Sequence, residues 1–146
     1  MNKEEILSII RIKVSEKIKN FENLIDETRA SNNDTKSSMG DKYETGREML
    51  QQEINNLQRQ LNESLSQQAI LQKITSEDSS KVQNGALVKT DRGLFYVAVS
   101  IGEVVFENKK MMTVSAESPL VKAMFGKKKG EKFEIITMYQ TIENIW

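Results

Sequence analysis

From Glu4 to about Ala30 the apolar residues recur at Ile6, Ile10, Val14, Ile18, Phe21 and Ile25, with Thr28 closing the series. Steps of three and four put them on one stripe of a helix whose other face is charged. A second stripe runs through Tyr43, Leu50, Ile54, Leu57, Leu61, Leu65 and Ala69, set among Gln and Asn, with no Gly after Gly46. Neither stripe can be buried by its own helix, and a narrow seam suits two helices packed antiparallel. Thirty helical residues would span about 45 Å. Between the stripes lies "SSMGDKYETGREML", Ser37 to Leu50, which breaks the rhythm with Gly40 and Gly46 yet carries Asp41, Glu44 and Glu48. The polar run "RASNNDTKSSMGDK" is expected at the tip of a long helical hairpin.

After the polar stretch "TSEDSS" the period changes to two. "GALVKT" and "LFYVAVS" flank Asp91-Arg92-Gly93 and predict a strand-turn-strand hairpin. "VVFENKKMMTVS" predicts a second, turning at Asn108-Lys109-Lys110. In "SPLVKAMFGKKKG", Ser118 is placed to cap a short helix, Pro119 to start it and Gly126 to stop it. "KFEIITMYQTI" reads as a further strand. An α+β chain results, with residues 1–76 as an N-terminal antiparallel coiled-coil hairpin and 77–146 as a small globular domain. Because strands and short helix can form their own core, the hairpin is expected to project.

Composition narrows the chemistry. There are 21 basic and 21 acidic residues, giving zero net charge, so no bulk field draws the chain to nucleic acid or anionic lipid. Residues 1–76 hold 11 basic and 12 acidic side chains, and the remainder 10 and 9, so neither part is an electrostatic tail. The sequence has no Cys and no His. That excludes disulfides, thiol nucleophiles, imidazole bases and soft zinc sites. Carboxylates, Lys, Tyr and hard oxygen-bound cations such as Mg2+ remain. No charged-then-apolar leader or membrane-length apolar run is present, and a cytoplasmic protein is expected.

The stretch "VSAESPLVKAMFGKKKGEKFEI", Val114 to Ile135, resembles the carboxyl-domain signature of the Gre transcript-cleavage factors. In that family a Ser-Pro-Leu-x-Lys-Ala helix runs into Gly-Lys-Lys-x-Gly-(Asp/Glu) and an acidic-hydrophobic strand. Ser118, Pro119, Leu120, Lys122, Ala123, Gly126, Lys127, Gly130 and Glu131 fit; Val121 departs, standing where a small residue is usual. The order of parts, coiled-coil hairpin then FKBP-like α+β domain, is similar too. The resemblance implies a bacterial, cytoplasmic transcription elongation factor, monomeric and not itself an enzyme, with DNA binding among the family's properties. Its partner would be RNA polymerase core. The globular domain would hold the rim of the secondary channel through Ser118, Pro119, Leu120, Lys122 and Lys127. The hairpin tip would reach the transcript RNA 3′ end.

In that family, acidic tip residues help hold a second Mg2+ and its attacking water, and the polymerase itself cuts backtracked RNA. Two-metal cleavage stabilises both the attacking and the leaving oxygen, and Mg2+ is held weakly by one carboxylate alone. Asp41 and Glu44 suit that work as shared metal donors, since a spacing of three puts them on one helix face. "GDKYE" repeats the family's Gly-Asp-x-x-Glu tip. A second register aligns "DKYETGRE" with the family's entry into the second helix; Asp34 is then the first acid and Ser37 occupies the second position. Asp41 also has capping-box spacing from Ser38 and could serve only the helix end. Lys36, Lys42 and Arg47 could meet RNA or polymerase acids.

Two rival functions remain open at this point. A channel binder that does not stimulate cleavage would dock identically, and tip acids separate the two. An FKBP-like isomerase or chaperone would need an aromatic pocket built from Phe95, Tyr96, Phe106, Phe125, Phe133, Tyr139 and Trp146. Fold alone does not carry that activity.

Overall fold

The computed structural model describes the backbone of residues 1–34 and 41–146, and side chains over 1–31 and 46–146. Two long helices come first, α1 (Lys3–Asp34) and α2 (Asp41–Lys73). Six strands follow among the described residues: β1 (Leu87–Thr90), β2 (Gly93–Ala98), β3 (Gly102–Phe106), β4 (Lys109–Ser115), β5 (Lys132–Ile135) and β6 (Met138–Ile145). The short helix α3 (Pro119–Met124) lies between β4 and β5. The chain is therefore α+β with two leading helices, as the periodicity requires. Its contacts define two compact units, Met1–Arg11 with Ala69–Trp146, and Ile12–Gln68.

Within Ile12–Gln68, the buried residues among those described are Val14, Ile18, Ile25, Ile54, Leu57, Leu61 and Ser64. Lys17 Nζ donates to Gln67 Oε1 at 3.4 Å, and in the other unit Arg11 Nη2 donates to the Leu71 carbonyl at 2.9 Å. Partner numbers rise on α1 as they fall on α2, which is antiparallel pairing. Two assignments change, Ala69 being exposed and Leu65 giving way to its neighbour. Leu65 is 43% exposed, while Ser64 is 1% exposed and donates its hydroxyl to the Gln60 carbonyl. The spacing 54, 57, 61, 64 keeps alternating steps of three and four, as a two-helix seam does. Serine at a seam position carries no apolar signal, so the sequence pattern slipped to its neighbour.

In the second unit the strand order is β3-β4-β2-β1-β6-β5. The β1–β2 hairpin turns where expected, with Thr90 opposite Gly93. The β3–β4 turn falls earlier than the sequence suggested, on Glu107 and Asn108 (φ 49° and 62°), and Lys109 and Lys110 belong to β4. Two consecutive left-handed residues make the tight turn whose twist matches a hairpin. β2 and β4 pair in parallel, β4 entering between β2 and the outer strand β3.

"KFEIITMYQTI" is not one strand. β5 and β6 pair antiparallel through a turn at Ile136 and Thr137, with φ 47° and 61°. β-Branched residues rarely adopt that conformation, and each such position costs on the order of 1–3 kcal/mol. With neither Gly nor Asn present, the sequence carried no turn signal. Replacing the pair by Asn-Gly is expected to stabilise the protein by about 1–2 kcal/mol in urea unfolding. Unchanged or lower stability would show the turn to be relaxed as it stands.

Strand alternation gives the sheet two buried faces. One carries Val88, Val97, Val114, Phe133 and Ile142, packed with Val121 and Met124 of α3. The opposite face carries Leu87, Tyr96, Val104 and Met111, all buried. The start of α1 and the end of α2 cover it: Ile6, Leu7, Ile10, Leu71 and Ile74 are buried in the same unit. Arg11 also reaches the Ile74 carbonyl at 3.1 Å, and Lys3 Nζ donates to the Glu77 and Trp146 carbonyls at 2.6 and 3.0 Å. Gly85 (φ 89°) lies so close to Ile74 that a Cβ there would sit 3.1 Å from its Cγ2. The helical stem is thus one layer of this unit.

Burial holds the Lys3 ammonium below its ordinary value, with Asp78 partly opposing the shift. Burial pushes the Tyr96 phenol up to about 12 from 10.0, although the Arg11 charge pulls the other way. The Tyr96 hydroxyl has no hydrogen-bond partner among the described residues. The folded state therefore keeps a proton that the unfolded chain loses between pH 10 and 12, and Tyr96 erodes stability as pH rises through that window. Lys3 has the opposite sign, adding stability as pH rises from its lowered value to 10.5. Tyr96→Phe isolates the phenol, because Lys3 is common to both proteins. The variant should match the parent within about 1 kcal/mol at pH 7 and exceed it by a further ~1 kcal/mol at pH 11. Parallel urea midpoints across pH would contradict this.

Candidate functional site

Two places carry the candidate residues. At the first, α1 ends at Asp34 and α2 starts at Asp41, so the backbone of Asp41 and Glu44 forms the opening turn of α2. A separation of three residues there puts both on one side of the helix. The side chains of Asp34, Asp41 and Glu44, the Ser37 register and the capping role of Asp41 lie outside the described residues. So do Lys36 and Lys42. Among the described residues no three acidic side chains gather into a metal centre. Just beyond, Glu48 is exposed, and Arg47 is half-buried with no partner for its Nε among the described residues.

The second place is α3, where the geometry is complete. Ser118 takes extended backbone angles (φ −66°, ψ 148°), and its Oγ accepts from the Val121 amide at 3.3 Å. The same hydroxyl donates to the Ser115 carbonyl at 2.9 Å. Pro119 occupies the first helical position, where its missing N–H would have had no partner. Gly126 follows the helix with φ 79°, a conformation glycine adopts without strain. Its amide donates to the Val82 carbonyl at 2.8 Å, and the Val82 amide donates back to Lys127 at 2.9 Å. These two bonds fix the end of α3 to the loop that follows α2.

Val121 and Met124 are fully buried, while Leu120 and Ala123 pack half-buried against the same core. Pro119 and Lys122, one turn apart, face outward, with Ser118 and Lys127 half-exposed. The fold therefore brings Ser118, Pro119, Leu120, Lys122 and Lys127 into one neighbourhood. Val121, where the resemblance expects a small residue, is filled into the core. Phe125, apolar and next to the buried Met124, is nonetheless 54% exposed beside Pro119 and Lys122 on the same short segment. Its apolar character gave no hint, because the helix had already stopped at Met124. Of the adjacent methionines, Met111 is buried and Met112 exposed, as strand alternation demands.

Ser118→Ala should lose about 1 kcal/mol of stability through the lost cap. Lys122→Glu, on the exposed side, should change stability by less than about 0.5 kcal/mol. Thermal unfolding of both variants checks this, and a larger loss for Lys122→Glu would place that side chain in the fold's support.

The aromatic residues do not assemble one pocket. Phe95 and Phe133 belong to the α3 face, Tyr96 and Phe106 to the opposite one, and Phe125 and Tyr139 are exposed. Among the described residues no helix is long and apolar enough to cross a membrane.

No protein-family model matches the chain, and no curated protein matches it. Solved structures do. The GreA factor homolog 1 (Gfh1) protein of Thermus thermophilus is similar over 93% of this chain and 94% of its own, at 15% identity and a TM-score of 0.39. A structure described as the transcription factor Gfh1 covers 92% of each chain with the same identity and TM-score. Gfh1 of Thermus aquaticus covers 99% of this chain and 94% of its own, at 18% identity and a TM-score of 0.33. Likeness at this level establishes no shared activity.

Proposed function

We propose that this protein is a Gre-like elongation factor of RNA polymerase that enters the secondary channel and stimulates cleavage of backtracked transcripts. The observation that carries the reading is the segment Val114–Ile135. Its Gre-like signature residues form a capped helix with Pro119, Lys122 and Phe125 exposed, while Val121 and Met124 anchor it in the core. Residues free of structural duty are the ones available for a partner. The long helical pair supplies the second requirement, since α2 opens with Asp41 and Glu44 in one helical turn. There the two carboxylates deliver charge to a Mg2+ that the polymerase holds weakly, and the polymerase performs the cleavage. The factor contributes no nucleophile of its own.

The test is capture of polymerase core by the full chain, followed by addition of the chain to a stalled, backtracked complex. Binding that Lys122→Glu weakens, together with faster release of a short 3′ RNA fragment, is the expected result. Binding without faster cleavage would leave a channel competitor and remove the metal-delivery role. Absence of binding would remove the whole reading.

A further inference from the structure

β5 is the last strand in the sheet order and pairs with β6 alone. Ile135 and Met138 close the Ile136-Thr137 turn, and two residues back Phe133 faces Gln140. Further along, the Ile142 amide donates to the Glu131 carbonyl at 2.9 Å. Bonded positions alternate along an antiparallel ladder, so Glu131, Phe133 and Ile135 turn their backbone groups toward β6. The N–H and C=O groups of Lys132 and Glu134 point the other way, out of the sheet edge. Among the described residues no strand or loop takes them up. Phe133 is buried against α3, and strand alternation puts the side chains of Lys132 and Glu134 together on the opposite face. Both are exposed, and neither forms an ion pair among the described residues.

We propose that β5 pairs antiparallel with β5 of a second copy of this chain, joining two sheets edge to edge about a two-fold axis at Phe133. An unpaired edge is a template for another strand, and its outward residues restrict the register. Lys132 can face itself, Glu134 can face itself, or Lys132 can face the partner's Glu134. The first two set like charges directly opposite, which is destabilising. The third uses both outward positions at once, because the two-fold axis repeats it as Glu134 against the partner's Lys132. Each such pair exchanges both backbone bonds and sets opposite charges side by side. The strand is complementary to its own copy, and that selects the occupant. The other open edge, β3, carries a single charged side chain, Glu103, and offers no such match. The pairing departs from the monomer that the family resemblance implies. It uses neither the hairpin tip nor the exposed side chains of α3, and it stands or falls apart from the elongation-factor reading.

Sedimentation of the full chain at low salt, up to about 200 µM, should show a dimer fraction that grows with concentration, with a Kd of about 100 µM or tighter. Lys132→Glu and Glu134→Lys should each weaken the dimer at least about tenfold, because each reversal alters both symmetric pairs. The double reversal Lys132→Glu/Glu134→Lys should return the Kd to within about threefold of the parent, since the charges match again. The chain has no Cys, so introduced thiols report the register without background. Lys132→Cys mixed with Glu134→Cys keeps one ion pair and brings the sulfurs within disulfide reach. Oxidation should cross-link that mixture at least about tenfold faster than either variant alone, where like positions lie roughly 8–9 Å apart, beyond the span of a disulfide. A monomer at every concentration overturns the proposal and leaves the edge to a strand of another protein. A Kd unmoved by the single reversals, or a double reversal no tighter than they are, overturns the pairing. Equal cross-linking in the mixture and the single variants overturns it as well.

Discussion

Changing Asp41 to Asn together with Glu44 to Gln is expected to abolish stimulated transcript cleavage while leaving polymerase binding intact. Amides keep the size and much of the hydrogen-bonding capacity of the carboxylates but remove the negative charge that a hard divalent cation requires. Loss of one charge-stabilising group at an active centre commonly costs two to three orders of magnitude in rate. A fall of roughly a hundredfold or more is therefore expected for the pair. Raising Mg2+ should recover part of the rate, since a weakened site fills by mass action. The α3 segment is untouched, so competition for the channel should persist. Asp34→Asn is the control for the other register: if it alone stops cleavage and the double variant does not, Asp34 is the donor. If neither affects cleavage and Asp41→Asn lowers stability by about 1 kcal/mol, Asp41 serves the helix end only.

The second large effect is at the base of the helical pair. Ile10→Ala should cost about 2–5 kcal/mol, because the side chain is fully buried and its removal leaves a cavity. Ile12→Ala, two residues along the same helix and 54% exposed, should cost less than about 0.5 kcal/mol apart from helix propensity. Urea unfolding of the two variants measures the contrast. Equal, small losses would mean that the stem does not cover the Leu87–Tyr96–Met111 face and that this face is covered by something else.

Most of the architecture was legible because it rests on local periodicities. Steps of three and four from Ile6 to Ile25 can only make one helical stripe, and "GALVKT" and "LFYVAVS" on either side of Asp91-Arg92-Gly93 read as paired strands, although the structure buries both of their faces. The Ser118-Pro119 start and Gly126 stop of α3 are backbone requirements of single residues, so they too could be read one at a time. That Ser118 caps α3 follows from a short stretch, and the structure adds that Val121 is buried while Pro119, Lys122 and Phe125 are left outside.

What tertiary structure decided was everything that depends on partners distant in the chain. Parallel pairing of β2 with β4 involves residues whose own alternation would suit either direction. The turn at Ile136-Thr137 runs against local preference and is imposed by β5 and β6 pairing on either side. Serine at position 64 enters the helical seam because Leu57 and Leu61 set the phase before it. Period and capping are properties of a few consecutive residues; register, direction and juxtaposition are properties of the packed sheet, where long-range burial outweighs local preference.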